Sequence, residues 1–230
     1  VSAFGAIRAR IDAARPPGGP PVRLLAVSKG QPIERIVALA AEGQTHFGEN
    51  YVQEAVAKIV ALAGRGLAWH LTGPLQSNKC GEVARHFDWI ETLDREKLVL
   101  PLAAARPADR PPLQVLVQVK LDDEASKSGA APADVPRLCR LVAAEPRLRL
   151  RGLMTIPRPD PDPGARRRRF AELRALFESL RMAFPTMDTL SMGMSEDFEL
   201  AIAEGSTEVR IGTALFGPRP PKPAIPPTND

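Results

Sequence analysis

Apolar residues in this chain alternate between two patterns. Short continuous runs of strand length are separated by longer stretches in which they recur every three or four positions, the spacing of a helix face. The chain opens with a helical pattern, Phe4, Ile7 and Ile11 sharing one face. A buried strand follows from Leu24 to Ser28 and delivers Lys29 at its end. Pro32 then suits a helix start, Ile33, Ile36, Val37 and Ala40 form its stripe, and Gly43 suits its end. The alternation continues with strands at 45–50, 67–73, 87–93, 113–120, 148–156, 187–193 and 206–212. Between them lie helices at Tyr51–Ala63, through Val83 to Phe87, Arg95–Ala105 and Asp134–Ala144, then the Phe170, Leu173, Leu176, Phe177, Leu180, Phe184 stripe, and Glu196–Glu204.

Strands that alternate with helices pair in parallel through crossovers. Eight such units in a chain of 230 residues predict an α/β fold, a single-domain (β/α)8 TIM barrel, over an open doubly wound sheet. The barrel, with its N-terminal helix, is expected over 1–217, and the proline-rich stretch 218–230 is expected to be a disordered tail.

Composition narrows the function classes. The net charge is +4, but 31 basic and 27 acidic residues are interspersed, a poor footprint for nucleic acid. Eight Phe, one Tyr and two Trp make no stacking platform for single strands. Arg166–Arg169 open a helix and read as a solvated face. Cys80 and Cys139 lack metal-ligand spacing and suit a reducing compartment. No apolar run reaches the ~20 residues of a membrane span, and the first residues lack the apolar core of a signal peptide. A cytoplasmic protein is expected.

Barrel chemistry gathers at the carboxyl ends of the strands, with a phosphate site often built by the loops after strands 7 and 8. Those loops here are 191–195 (SMGMS) and 210–217 (RIGTALFG), carrying Ser191, Ser195, Gly212 and Thr213. Bare glycine backbone and hydroxyls at a helix start suit an anion. Of seven lysines, only Lys29 and Lys120 close an apolar strand, and desolvation frees the amine of such a lysine for nucleophilic chemistry. A phosphate cradle with a strand-end lysine points to a phosphorylated carbonyl compound. Pyridoxal 5′-phosphate (PLP) answers that description, and so do the sugar phosphates of an aldolase. Walker, GxGxxG, HExxH and GxSxG motifs are absent. The three histidines are not spaced as a metal pair, and His70, near the end of strand 3, reads as a satisfied buried residue.

Seven segments occur in order: LLAVSKGQP, HFGENYVQE, WHLTGPLQSNK, SKSG, GLMTIP, SMGMSEDFELAI and EVRIGTALFG. Together they closely resemble the pyridoxal phosphate homeostasis proteins, a family that looks like the N-terminal barrel of alanine racemase without its C-terminal β-domain. The resemblance implies that Lys29 forms an aldimine with PLP. It implies that Ser195, Gly212 and Thr213 hold the phosphate with Ser191 beside them, that Arg210 faces the pyridine nitrogen, and that Asn50 lines the ring or its 3-hydroxyl side. Ser195 precedes Arg210 by fifteen residues, as the corresponding pair does in the racemase. Lys120 departs from the family, which often has an uncharged polar residue there.

An arginine only donates, so at the ring nitrogen it disfavours the protonated pyridine that best accepts electrons. A racemase also needs a second acid/base on the opposite face of the ring, supplied in alanine racemase by a tyrosine of the absent domain. Tyr51 is the one tyrosine here. The implied function is therefore PLP carriage or buffering in vitamin B6 homeostasis, with PLP-dependent apo-enzymes as recipients and without established turnover. The chain is expected to be a monomer. A low-activity amino-acid racemase is the alternative, and a phosphosugar aldolase a third reading. In a closed barrel strand 1 neighbours strand 8, so Lys29 and Arg210 are expected side by side at one rim.

Overall fold

A computed structural model describes residues 2–121 and 128–218. The acidic part of the LDDEASKSG loop, with Ser126 and Lys127 of the SKSG segment, lies outside the described residues, as does the expected tail from 219 onward. Eight parallel strands close into a barrel in chain order: β1 Arg23–Val27, β2 His46–Glu49, β3 Ala68–Leu71, β4 Trp89–Leu93, β5 Leu113–Gln118, β6 Leu148–Met154, β7 Thr189–Ser191 and β8 Glu208–Ile211. The barrel closes between β1 and β8, where Leu25 stands opposite Arg210 and Ala26 opposite Ile211.

Helices α2 (Ile33–Ala41), α3 (Val52–Ala61), α4 (Cys80–His86), α5 (Val99–Ala105), α6 (Val135–Ala144), α7 (Pro163–Arg181) and α8 (Phe198–Ala203) wrap the outside, each following a strand. Their apolar stripes and the outward strand residues, such as Phe47, Ile90, Val115, Val117 and Leu190, share one continuous core. Among the described residues no helix is long and apolar enough to cross a membrane.

Among the described residues the chain after β8 forms only a four-residue helix, α9 (Thr213–Phe216), too short to show periodicity and not anticipated from the sequence. It cannot cover the outward side chains of β8. The N-terminal helix α1 (Ala3–Ala14) does so: Ile7 and Ile11 bury against Leu24, Val209, Ile211, Phe198 and Ile202. Ser2 caps α1 by accepting from the Gly5 N–H. Arg10 pins it to α8 through Glu199 and lies 4.6 Å from the Phe198 ring centroid.

Two boundaries differ from the sequence pattern for local reasons. α7 begins at Pro163, seven residues before the stripe that starts at Phe170, because Asp162 caps it by accepting from the Gly164 and Ala165 N–H groups. The arginine run therefore lies in its first turns, where Arg167 pairs with Glu204, Arg168 with Asp162 and Arg169 with Asp160. α8 begins at Phe198 rather than Glu196, because Asp197 Oδ1 accepts from the Met194 N–H and holds 194–197 as a separate turn.

The β6–β7 seam leaves no room for a side chain at Gly152, whose φ is +153° and whose Cβ would stand 1.7 Å from the Thr189 carbonyl oxygen. Gly152→Ala is expected to destabilise the fold by about 3 kcal/mol through backbone strain and overpacking. Thermal or urea unfolding followed by far-UV circular dichroism checks this. A loss below ~1 kcal/mol, the range of ordinary substitutions, contradicts it.

Candidate functional site

A cavity of about 200 Å³ opens at the C-terminal end of the barrel and is lined by Val27, Lys29, Gln31, Asn50, Thr72, Ile156, Met194, Ser195, Arg210, Gly212, Thr213 and Gly217. It gathers the ends of β1, β2, β3, β6, β7 and β8. Period-two geometry decides what enters it. Val27 and Lys29 line the cavity, while Ser28 between them turns toward Glu49.

Six of the seven residues singled out from the sequence line this cavity: Lys29, Asn50, Ser195, Arg210, Gly212 and Thr213. Ser191 does not line it. As the last residue of β7 it is fully buried one layer deeper, where its hydroxyl donates to Glu91 Oε2 at 2.8 Å and accepts from Arg210 Nη1 at 2.8 Å. Lys120 does not line the cavity either, and its backbone N–H donates to the Ala130 carbonyl. Tyr51, 64% exposed just before α3, is likewise not a lining residue.

The lining set suits an anionic ligand with an electrophilic carbon. Two cationic side chains, Lys29 and Arg210, share the space with the hydroxyls of Ser195 and Thr213. Gly212 is bare backbone, and a Cβ there would stand 3.2 Å from the Val27 carbonyl oxygen. The backbone of β8 can thus approach both β1 and an anion closely. The Asn50 side-chain oxygen lies 3.1 Å from Thr72 Oγ1, which orients the amide.

Arg210 is 4% exposed and forms the cavity floor. Its Nη2 donates to the Thr155 carbonyl at 2.7 Å and its Nη1 to Ser191. Burial pulls its pKa below the ordinary arginine value, while Glu91, Glu208 and Asp197 push it back up. Beneath it the barrel interior is polar. Ser191 bonds Glu91, Glu91 Oε1 meets His70 Nδ1 at 2.7 Å, and His70 Nε2 meets His46 Nδ1 at 2.9 Å. Glu208, one strand position pair below Arg210, takes Arg23 Nη1 at 2.9 Å. Burial raises both carboxyl groups above their ordinary value. Arg210 and the Ser191 hydroxyl oppose this at Glu91, whereas at Glu208 the neighbouring Glu91 adds to it and Arg23 opposes it.

Burial also lowers the histidines, to about 4 for His70 and about 3 for His46. Both are therefore neutral near pH 7, so His70 donates to Glu91 from Nδ1 and accepts from His46 at Nε2. His70, Glu91 and Glu208 offer ligand atoms within 4.8 Å of one another, a spacing that would suit a cation. The cluster is already answered by protein cations, since Arg23 pairs with Glu208 and Arg210 reaches Glu91 through Ser191. The amino end of the barrel is closed by Trp89, with His70 stacked on its ring at 5.0 Å and the Arg23 and Arg151 guanidiniums each 4.8 Å from the ring centroid.

Comparison with known proteins places this geometry. The family model for the alanine racemase N-terminal domain matches residues 3–220. A pyridoxal phosphate homeostasis protein of Vibrio cholerae is 52% identical over 202 residues, covering 86% of both chains. One of Pseudomonas aeruginosa is 50% identical over 216 residues, covering 93% of both. The structure of PipY from Synechococcus elongatus with PLP bound superposes with a TM-score of 0.80 at 38% identity, over 92% of this chain and 100% of that one. An alanine racemase of Corynebacterium glutamicum shares the fold alone, at 18% identity and a TM-score of 0.65, with 61% of its length matched.

The buried histidines make stability depend on pH with a definite sign. In the unfolded chain they take up protons near their ordinary value of 6.5, whereas His46 in the folded protein does so only near 3. Their contribution is complete above pH 6.5 and is lost as the pH falls toward the folded values. The raised carboxyls Glu49, Glu91 and Glu208 act in the opposite sense, so a variant isolates the effect. The melting temperature of His46→Gln is expected to fall less steeply than that of the wild type on acidification from pH 6.5. Parallel profiles would contradict this.

Proposed function

Because the chain belongs to the pyridoxal phosphate homeostasis protein family, built on the barrel of the alanine racemase N-terminal domain, we propose that it binds PLP through Lys29 and serves PLP homeostasis as a carrier or buffer. The observation that carries this reading is one cavity holding Lys29, Arg210, Ser195, Thr213 and the bare backbone of Gly212. When bound, PLP supplies an aldehyde that reacts reversibly with amines and a ring able to store electrons.

Placement in the cavity supports the following roles. Lys29 would hold the cofactor through its amine, the group that reacts reversibly with an aldehyde. Ser195, Thr213 and the Gly212 backbone take the phosphate. Arg210, anchored by Ser191 and Thr155, would face the ring nitrogen and, able only to donate, would disfavour its protonation. Asn50, oriented by Thr72, borders the ring. Ser191 belongs to the support of Arg210 and not to the phosphate cradle. Linking the aldehyde to a lysine protects cellular amines from it, and reversibility leaves it transferable to apo-enzymes.

Support for carriage over turnover comes from the lining itself. Among the described lining residues, Lys29 is the side chain with amine chemistry, and no carboxylate, histidine or tyrosine stands across the cavity from it. A racemase needs such a second acid/base. We place the protein in the cytoplasm as a monomer.

The purified protein is expected to be yellow. Borohydride should fix the label on Lys29, and Lys29→Ala should lose at least nine-tenths of the visible band while keeping its fold by circular dichroism. A band surviving in that variant, or label mapped to Lys120, overturns the assignment. Chiral analysis after long incubation with alanine is expected to show no racemisation beyond that of free PLP. Saturable racemisation abolished in Lys29→Ala would make the protein an enzyme.

A further inference from the structure

Behind Lys29, on the outer side of the barrel wall, sits a buried ion triad that the ligand-binding roles leave unused. Lys58 of α3 is a helix lysine with a side chain only 7% exposed. Its ammonium donates three hydrogen bonds, to the Ser28 carbonyl at 2.8 Å, Glu49 Oε1 at 2.7 Å and Glu54 Oε1 at 2.7 Å. These use all three of its donors. Glu54 Oε1 also accepts from the Gly30 N–H at 2.6 Å, and Glu49 Oε1 accepts from the Ser28 hydroxyl at 2.6 Å. Glu49 Oε2 is buried and makes no hydrogen bond among the described residues, so both donors to this carboxylate converge on one oxygen.

These bonds converge on one target. The Ser28 carbonyl belongs to the peptide unit entering Lys29, and the Gly30 N–H to the unit leaving it. Lys58 grips the first and Glu54 the second, and each grips the other. The Cα of Lys29 is thus clamped between two charge-assisted bonds, while its side chain lines the cavity on the opposite side of the wall. Such a clamp costs the desolvation of two carboxylates and an ammonium. An ordinary apolar contact between α3 and β2 would fill the same space without that cost. Of the three acidic and basic members, Glu54 is the most accessible, its side chain 31% exposed.

We propose that Lys58 and Glu54, seated on Glu49, are positioning residues that hold the Lys29 amine at the bonding position and thereby set how fast the bound cofactor is released. The inference rests on Lys29 being the attachment point. It concerns residues outside the cavity that touch the backbone of Lys29 and not the ligand.

The test uses the PLP-loaded protein. Release is followed as cofactor passing an ultrafiltration membrane over time after dilution into cofactor-free buffer, and the visible band is titrated against pH. Glu54→Ala removes the grip on the Gly30 N–H but leaves Lys58 paired with Glu49, so the fold should survive with a melting temperature within a few degrees of wild type. Its release is expected to be about tenfold faster, with the pH midpoint of the band displaced. Glu54→Gln, whose side-chain oxygen still accepts from Gly30, should recover most of the wild-type rate. Lys58→Met should exceed Glu54→Ala in effect if it folds.

A Glu54→Ala protein that releases PLP at the wild-type rate with an unmoved midpoint overturns the proposal and leaves the role of Lys29 intact. So does a faster release that merely tracks lost thermal stability, or one that Glu54→Gln fails to restore. A visible band that persists in Lys29→Ala overturns both readings, because no lysine at this position then needs positioning.

Discussion

A guanidinium buried at the floor of the cavity is the constraint around which the barrel interior is arranged. Arg210 is nearly sealed from water, and an arginine does not shed its charge to escape burial. Its donors must be met and its charge answered from within. Thr155 and Ser191 meet the donors, and Glu91 and Glu208 answer the charge. Those carboxylates in turn require partners, which is why His70 and Arg23 stand in the same interior. A barrel of this class is usually filled by layers of branched apolar side chains. Here the apolar share of the interior shrinks to a cluster of Trp89, Leu116 and Met154 with Leu25 above it, and hydrogen bonds replace many of the packed methyl groups.

The two sides of the cavity are supported in different layers. On the β7–β8 side, support comes from inside the barrel, through the chain of groups under Arg210. On the β1–β2 side it comes from outside, through the ion triad between the wall and α3. Strand alternation explains the split. Arg210 and Glu208 point inward two residues apart, whereas Ser28 and Glu49 point outward between inward neighbours. The residue that would hold the aldehyde and the residue that would hold the ring are thus stiffened independently, and a change in one support leaves the other in place.

Much of this was legible in the residues. Apolar runs marked most of the strands, β2 with its single Phe47 being the weakest, and their alternation with helical stripes led to the closed barrel. Loop position alone brought Ser195, Gly212 and Thr213 to the same rim as Lys29. The depth of Ser191 was not legible, because a serine ending a strand and one in the following loop look alike until the register is known. Thr72, Gln31, Ile156 and Met194, which also line the cavity, fall within the resembling segments just past strand ends, but their residue types pointed to no particular chemistry. Glu91 and Glu208 had a fair one: Trp89 with Glu91, and Glu208 with Arg210, fall two apart on strands otherwise apolar, and so share an inward face. Lys58 was actively disguised. Glu54 and Lys58 four residues apart read as an ordinary exposed helix pair, and only the tertiary structure turns that pair toward Lys29.

The closure of the barrel's amino end has a consequence for traffic. With Trp89, Arg23 and Arg151 stoppering that end and the polar chain filling the shaft above, the chamber is a cup with a single lip. Among the described residues the way in and the way out cross the same rim, past Ile156, Asn50 and Gly217. For the carriage proposed above, a recipient would have to present its own amine at that rim while the ligand is still seated, or else wait for it to leave into water. A one-doored vessel of this kind would favour direct handover, face to face, over passage through the body of the proposed carrier.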